Sequence, residues 1–261
     1  MNNKCCICGT VRNCGEFLDK IFQNMESLGS LFEDFKIIIY YDISNDNTLD
    51  KLKSYKEKNS KFDFYVNTDK LLIYRTHRIS KGRNYCINYI RKKYNDYKYF
   101  IMMDCDNRCI RDIKLQLMNA YLMRTDWDSL SFNHPDGYYD TWALSVGPYF
   151  VSKDFYNYGQ NQNKFIDILI KKTPKNKLIN CYSAFNGIAI YRTDKFLNCN
   201  YDGRFRFDYI PKSLVNKSKL VSKGIRHDYN NKEDCEHRFF HFQSICKNNA
   251  RIRISPMCLF V

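Results

Sequence analysis

The first hundred residues alternate between short apolar runs and longer segments with helical spacing. CCICG (5–9) reads as a strand ending in a glycine-containing loop, and EFLDKIFQNMESL (16–28) repeats apolar residues every three to four positions, as an amphipathic helix does. FKIIIYYD (35–42) is a continuous apolar run of the kind buried on both faces of a parallel sheet. NDNTLDKLKSYKEK (45–58) opens with the capping residues Asn, Asp and Thr and continues as a second helix. DFYVN (63–67) predicts a third strand, SKGRNYCINYIRKKY (80–94) a third helix and YKYFIMMD (97–104) a fourth strand. This β-α-β-α-β-α-β order predicts an α/β fold: one domain with a mostly parallel central sheet, right-handed crossovers and flanking helices. The second half is less regular and is expected to finish the sheet, with YSAFNGIAIY (182–191) as a turn feeding a strand.

Composition narrows the partners. A 261-residue chain with 44% hydrophobic residues, 21 Tyr, 19 Phe and only 5 Pro has the means to bury a sizeable core. Its formal charge of +14 favours anionic partners: nucleic acid, membrane phosphates or a phosphorylated small molecule. No apolar run approaches the ~18 residues of a membrane span, and MNNKCCICGTVRNC has too short an apolar centre for a signal peptide. The expectation is a soluble, unsecreted, cytoplasmic chain without a transmembrane segment. Its 12 cysteines then read as reduced thiols. Cys5 and Cys8 have C-x2-C spacing but no second pair with metal-ligand spacing follows, so strand-buried thiols acting as small apolar residues are the better reading.

In a parallel sheet, ligands sit beyond the carboxyl ends of the strands. Four predicted loops fall on that edge, TVRNC, DISND, THRISKGRN and DCDNR, and they carry Arg12, Asp42, Arg78, Arg83, Asp104 and Asp106. Cations and carboxylates on one rim suit a phosphate ligand bridged by a divalent metal. Two carboxylates one residue apart at a strand end reach the same ion, or one binds it while the other orients a sugar hydroxyl or a bound water. Hard oxygen ligands select Mg²⁺ or Mn²⁺; the plain alternative is a turn with solvated acids. Downstream, the cluster Tyr138, Tyr139 and Trp142 suits either stacking on a sugar ring or core packing. KEDCEHRFFHF (232–242) places Glu233, Asp234, His237 and His241 on one helix face, but it lacks H-E-x-x-H order and a third soft ligand, which argues against zinc.

The apolar strand running into Asp104-Cys105-Asp106 resembles the D-x-D motif of GT-A fold (Rossmann-like) glycosyltransferases, the nucleotide-diphospho-sugar transferases. YYDISNDNTLDKL is similar to the acid-rich turn after their second strand, and THRISKGRNYCINYI to the helix entry whose Arg meets the donor phosphates. GYYDTWAL, SAFNGIAIY and KEDCEHRFFH, in that order, resemble a branch holding fungal capsule mannosyltransferases and glycosyltransferases of large DNA viruses, for which the cytoplasm would be the host's. The resemblance implies a UDP- or GDP-linked sugar donor, a hydroxyl acceptor on a glycan or glycoprotein, and Mn²⁺ or Mg²⁺, with no specific nucleic acid. It implies a donor half over residues 1–107 and an acceptor half over 108–261.

By the same resemblance Asp106 ligates the metal, and Asp104 contacts the ribose or reaches the metal through water. Arg12 and Asp42 line the nucleotide pocket, Arg78 and Arg83 pair with the diphosphate, and Asn186 and Gly187 touch the donor sugar or its phosphates. For Arg83 the residues add an argument: at a predicted helix start, an unpaired cation opposes the helix dipole unless an anion is near. Asp234, with Glu236 as second choice, would deprotonate the acceptor hydroxyl. A late histidine ligand to the metal would be His237 or His241. A base implies inversion of anomeric configuration and the fungal resemblance implies retention; both stay open. Two other classes compete. A polyanion- or nucleic-acid-binding protein would use the charge, but the basic residues are scattered in KNSK, RKKY, KKTPKNK and RIRI without a recognised motif. A nucleotidyltransferase would pair its carboxylates with a Gly-rich phosphate loop, which GTVRNCG matches poorly.

Overall fold

Successive side chains of a strand point to opposite faces, and in this protein both faces are buried. The computed structural model describes residues 3–227 and 232–261. Strand β1 (Lys4–Val11) sends Cys5 and Ile7 into one core, with Ile37 and Ile39 of β2 (Asp34–Tyr41) and Tyr99, Ile101 and Met103 of β4 (Tyr99–Asp104). The alternate residues Cys6, Cys8, Ile38, Tyr40, Phe100 and Met102 enter a second core on the other side. Helices α1 (Leu18–Gly29) and α4 (Leu115–Leu122) cover the first core through Leu18, Ile21, Met25, Leu28 and Met118. Helix α3 (Arg75–Lys93) and helix α7 (Glu236–Asn248) cover the second through Cys86, Ile87, Ile90 and Phe240. The strand thiols act as small apolar residues, as expected: Cys5, Cys6 and Cys8 are buried and unpaired.

Strand β3 (Phe62–Val66) follows helix α2 (Thr48–Lys58) at one edge of the sheet. The remaining strands are β5 (Ser129–Asn133), β6 (Ile179–Cys181), β7 (Ile188–Arg192) and β8 (Ile252–Cys258), with α5 (Asn161–Lys172) and α6 (Lys212–Leu220) between them. All eight strands form one sheet of order β3-β2-β1-β4-β7-β5-β8-β6. Pairs β1/β2, β2/β3, β1/β4 and β5/β8 are parallel, whereas β7 runs antiparallel to both β4 and β5, and β6 antiparallel to β8. The α/β single domain with a mostly parallel sheet is thus as the sequence predicts; the antiparallel weave of the second half is not visible in its spacing. The chain leaves β1 toward β2 on one side and returns with β4 on the other, so the loops after β1 and β4 diverge and open a crevice at the strands' carboxyl ends. No helix among the described residues is long and apolar enough to cross a membrane.

Candidate active site

That crevice is a cleft of about 260 Å³, lined among others by Arg12, Asp42, Arg75, Arg78, Asp104 and Asp106. Its far wall is laced across two loops. Asn13 takes a left-handed conformation (φ 51°), and its Oδ1 accepts the Asn45 N–H at 2.7 Å. Arg12 Nε donates to the Ile43 carbonyl at 3.2 Å. Asp42 is buried, and its Oδ1 accepts from the Ile43 N–H at 3.1 Å and from Asn67 Nδ2 at 2.9 Å. Arg78 Nε lies 3.9 Å from Asp42 Oδ2, while its Nη1 donates to the carbonyls of Leu72 (2.6 Å) and Ile73 (2.9 Å). A guanidinium has five N–H donors, so both arginines keep donors for an anion in the cleft.

The opposite wall is the end of β4. Asp104 is held twice: its N–H donates to the Gly187 carbonyl at 2.8 Å, and its Oδ1 accepts from Arg83 Nη2 at 2.8 Å. Burial pushes its carboxyl up to about 7, with Asp106, Asp140 and Glu236 adding to the rise and Arg83 opposing it. Asp106 is half-buried and uses Oδ1 to accept the Arg108 N–H at 2.9 Å, closing the turn after the strand. Among the described residues no three His, Cys, Asp or Glu side chains converge as a ready-made metal site. Two hard carboxylates on one rim of a cation-lined cleft nevertheless fit Mg²⁺ or Mn²⁺, which are commonly held by one or two carboxylates plus substrate phosphate oxygens.

Arg83 does not stand where the sequence predicts. Helix α3 begins at Arg75, so Arg83 lies two turns inside it rather than at its start. It is 3% exposed, sits over the Phe185 ring at 4.7 Å, and directs Nη1 to Glu236 and His237 and Nη2 to Asp104. Its donors face carboxylates of this chain, and it fixes Asp104 instead of lining the cleft.

The histidines are turned inward for the same reason. His237 stacks on Phe185 with ring centroids 3.8 Å apart, and its Nε2 meets Arg83. His241 places Nδ1 3.0 Å from Ser183 Oγ and Nε2 3.2 Å from the Tyr191 hydroxyl. Burial, reinforced by Arg83, holds His237 well below the usual imidazole range and His241 down at about 3, so both are neutral. His241 thus has both ring nitrogens engaged, whereas His237, which shares Arg83 with Asp104, keeps an Nδ1 without a partner among the described residues.

The two acids expected to act as base are both engaged by arginines. Asp234 Oδ2 accepts from Arg238 Nε at 2.9 Å and its Oδ1 from the Cys235 N–H at 2.7 Å. Arg238 is fully buried and also donates to the Leu144 carbonyl at 3.0 Å, tying Asp234 to the segment after Trp142. Glu236 is 4% exposed and ion-paired with Arg83. Burial raises both carboxyls and the arginines oppose it.

Asn186 and Gly187 form a clamp between the two halves of the sheet. Asn186 is left-handed (φ 66°); its Oδ1 accepts the N–H groups of Tyr139 (3.0 Å) and Asp140 (3.1 Å), and its Nδ2 donates to the Phe132 carbonyl at 3.0 Å. Gly187 follows at φ 90°, and a Cβ there would strike the Tyr139 hydroxyl. Gly187→Ala is expected to cost about 1–3 kcal/mol, the usual range for a strained backbone site, measured by urea denaturation. An unchanged midpoint would show that Tyr139 yields freely. Of the aromatic cluster, Tyr138 is buried, Tyr139 lies under Arg108 at 4.6 Å, and the Tyr138 and Tyr139 hydroxyls and the Trp142 indole N–H are buried without a partner among the described residues.

Two residues of the site escape sequence reasoning. Arg75, exposed at the first residue of α3, lines the cleft beside Arg78 and Ile79; reading the helix back to Tyr74-Arg75 would have found it one turn before them. Asp140 stands beside Asp104 only through the Asn186–Gly187 clamp, for which spacing carries no signal.

The sequence profile of glycosyl transferase family 2 matches residues 6–196, which include β1 from Cys6 onward, β2 to β7 and every residue of the cleft named above. No curated protein matches the chain. Among solved structures, that of S. aureus TarS 1-349 in complex with UDP is 13% identical, with 98% of this chain and 59% of that chain covered and a TM-score of 0.51. A mannosyltransferase from Pyrobaculum calidifontis, PcManGT, in complex with GDP-Man and Mn²⁺ is 11% identical over 76% of this chain and 47% of that one, with a TM-score of 0.45. The chain thus spans less than two thirds of these proteins' lengths, and the likeness to TarS is one of fold, the GT-A fold. With nearly three quarters of its residues inside the family profile, from the first strand to the turn after β7, the chain belongs to glycosyl transferase family 2.

Proposed function

We propose that the protein transfers a sugar from a nucleoside diphosphate sugar, UDP- or GDP-linked, to a hydroxyl of a glycan or glycoprotein. The observation that carries this reading is the cleft itself. Asp104 and Asp106 face Asp42, Arg12, Arg75 and Arg78 across a gap at the carboxyl ends of β1, β2 and β4. A nucleotide sugar has the matching parts: a base and ribose for Asp42 and its loop, and a diphosphate for the guanidinium forks. Asp106, with Asp104 beside it, would hold Mn²⁺ or Mg²⁺, which would supply positive charge against the departing diphosphate. Arg78, held by the Leu72 and Ile73 carbonyls, and Arg75, which also lines the cleft, would add donors for the same charge. Residues 1–107 then form the donor half and 108–261 the acceptor half.

The competing polyanion-binder reading needs a continuous basic face. Many of the surface cations are instead locally neutralised, as in Lys51–Asp19, Lys81–Asp69, Arg124–Asp126 and Arg206–Asp208. A thermal-shift panel of UDP, GDP, CMP and their sugars, with and without Mn²⁺, tests the proposal. A ligand at about 100 times its Kd stabilises by about 2.7 kcal/mol, or about 5–10 °C for a chain of this size. One nucleotide is expected to show such a shift and to need the metal for it. No shift with any nucleotide at millimolar concentration would refute the reading.

A further inference from the structure

Behind the rim that Asp104 and Asp106 form, the carboxylates of Asp140 and Glu236 act on the charge of Asp104, and Asp234 lies two residues before Glu236. Glu236 is paired with Arg83, Asp104 with the same arginine, and Asp234 with Arg238. Asp140 is different. Among the described residues no lysine, arginine or histidine comes within ion-pairing distance of it. Its Oδ1 accepts the Ala143 N–H at 3.1 Å, which fixes the carboxylate's direction, and its Oδ2 has no hydrogen-bond donor among the described residues. The segment that carries it is placed by the donor strand's own anchor: Asn186 Oδ1 accepts the Asp140 N–H, and the next residue's carbonyl accepts the N–H of Asp104. One two-residue turn thus sets the spacing between the metal-binding rim and Asp140. Three polar atoms of the same segment, the Tyr138 and Tyr139 hydroxyls and the Trp142 indole N–H, are buried with no partner among the described residues. Buried polar groups are nearly always satisfied, so the residues flanking Asp140 in sequence carry hydrogen-bonding capacity that the described residues do not use.

We infer that Asp140 is the carboxylate that takes the proton from the attacking acceptor hydroxyl, an inference that rests on the glycosyltransferase reading above. A proton acceptor needs a free lone pair, a fixed direction and no counter-ion competing for it; Asp140 has all three, and Asp234 and Glu236 lack the last. In the step, the acceptor O–H proton passes to Asp140 Oδ2 and the freed oxygen pair forms the bond to the anomeric carbon. The bond from that carbon to the diphosphate oxygen breaks, and its electron pair leaves with the nucleoside diphosphate. Protonated Asp140 returns its proton to solvent. A single displacement of this kind inverts the anomeric configuration.

Water serves as acceptor in the test, so the natural acceptor is not needed. Hydrolysis of UDP-glucose, UDP-N-acetylglucosamine and GDP-mannose is followed with Mn²⁺ by release of UDP or GDP, and affinity for the released nucleotide by calorimetry. Asp140→Asn is expected to slow hydrolysis by ~10² to 10⁴ while nucleotide affinity stays within about threefold. Asp140→Ala, which leaves room for a small carboxylate, is expected to regain part of the rate with added formate, and this arm stands even where the amide variant folds poorly. Hydrolysis by Asp140→Asn at the wild-type rate overturns the assignment and leaves the glycosyltransferase reading intact. So does an Asp234→Asn variant that alone loses turnover at full nucleotide affinity. A wild-type protein that binds and hydrolyses none of the three donors overturns both.

Discussion

Replacing Arg83 by methionine is expected to destabilise the protein by about 3–5 kcal/mol, the range for removing one partner of a buried ion pair. The size follows from what is left behind. Glu236 is 4% exposed, the Nε2 of His237 faces the same guanidinium, and Asp104 loses its only ion-pair partner among the described residues. Methionine fills part of the volume over Phe185 but satisfies none of these groups. Because most of the cost is an uncompensated carboxylate, adding Glu236→Gln to Arg83→Met is expected to recover a large part of it. Urea denaturation of both variants reads the difference. A single variant that melts within about a degree of wild type would mean that Glu236 and Asp104 are simply protonated when the arginine is gone.

Asp106→Ala is expected to have the largest effect on ligand binding. Loss of a supporting residue around a metal costs 10–100-fold in affinity, so loss of a directly bound carboxylate should weaken Mn²⁺-dependent binding of UDP or GDP by more than about 100-fold. The folded state should not suffer. Among the described residues Asp106 has no ion-pair partner, and its charge is among the causes that push Asp104 up to about 7. Removing it relieves that repulsion, so without metal the melting temperature should hold or rise. Calorimetric titration with and without Mn²⁺ separates these effects. If the variant binds nucleotide with undiminished metal dependence, the ion is held elsewhere and Asp104-Cys105-Asp106 is only a turn.

What the sequence disclosed and what it concealed divide along the range of the interactions. The strands β1, β2 and β4 were legible because a period of two, buried on both faces, is written in neighbouring residues such as Ile37, Ile38 and Ile39. Their order then placed Arg12, Asp42, Arg78, Asp104 and Asp106 on one edge, and the structure brings all five to the cleft. Arg83 was misplaced because the first turn of α3, Arg75 to Arg78, is polar and has no side-chain cap at Tyr74 to announce it. His241 looked like a ligand because its partners, Ser183 and Tyr191, are some fifty residues away in the chain. Asp234 looked free for the same reason: the backbone that Arg238 gathers around it comes from residues 142 to 150. Asp140 is the mirror case, an acid with no local signal whose position depends on Asn186.

The position of β7 fixes how the molecule must assemble. Ile188–Arg192 is the strand that closes the outer edge of β4 and joins it to β5. Until a growing chain has been made beyond Arg192, the backbone N–H and C=O groups along Tyr99–Met103 have no partner on that side, and Phe100 and Ile101 stand at an open, apolar sheet edge. Such an edge is a template for pairing with another chain. The proposed donor half would therefore not be a folding unit: cut after residue 107, it would keep its arginines and aspartates and lose the strand that keeps it from joining its own copies.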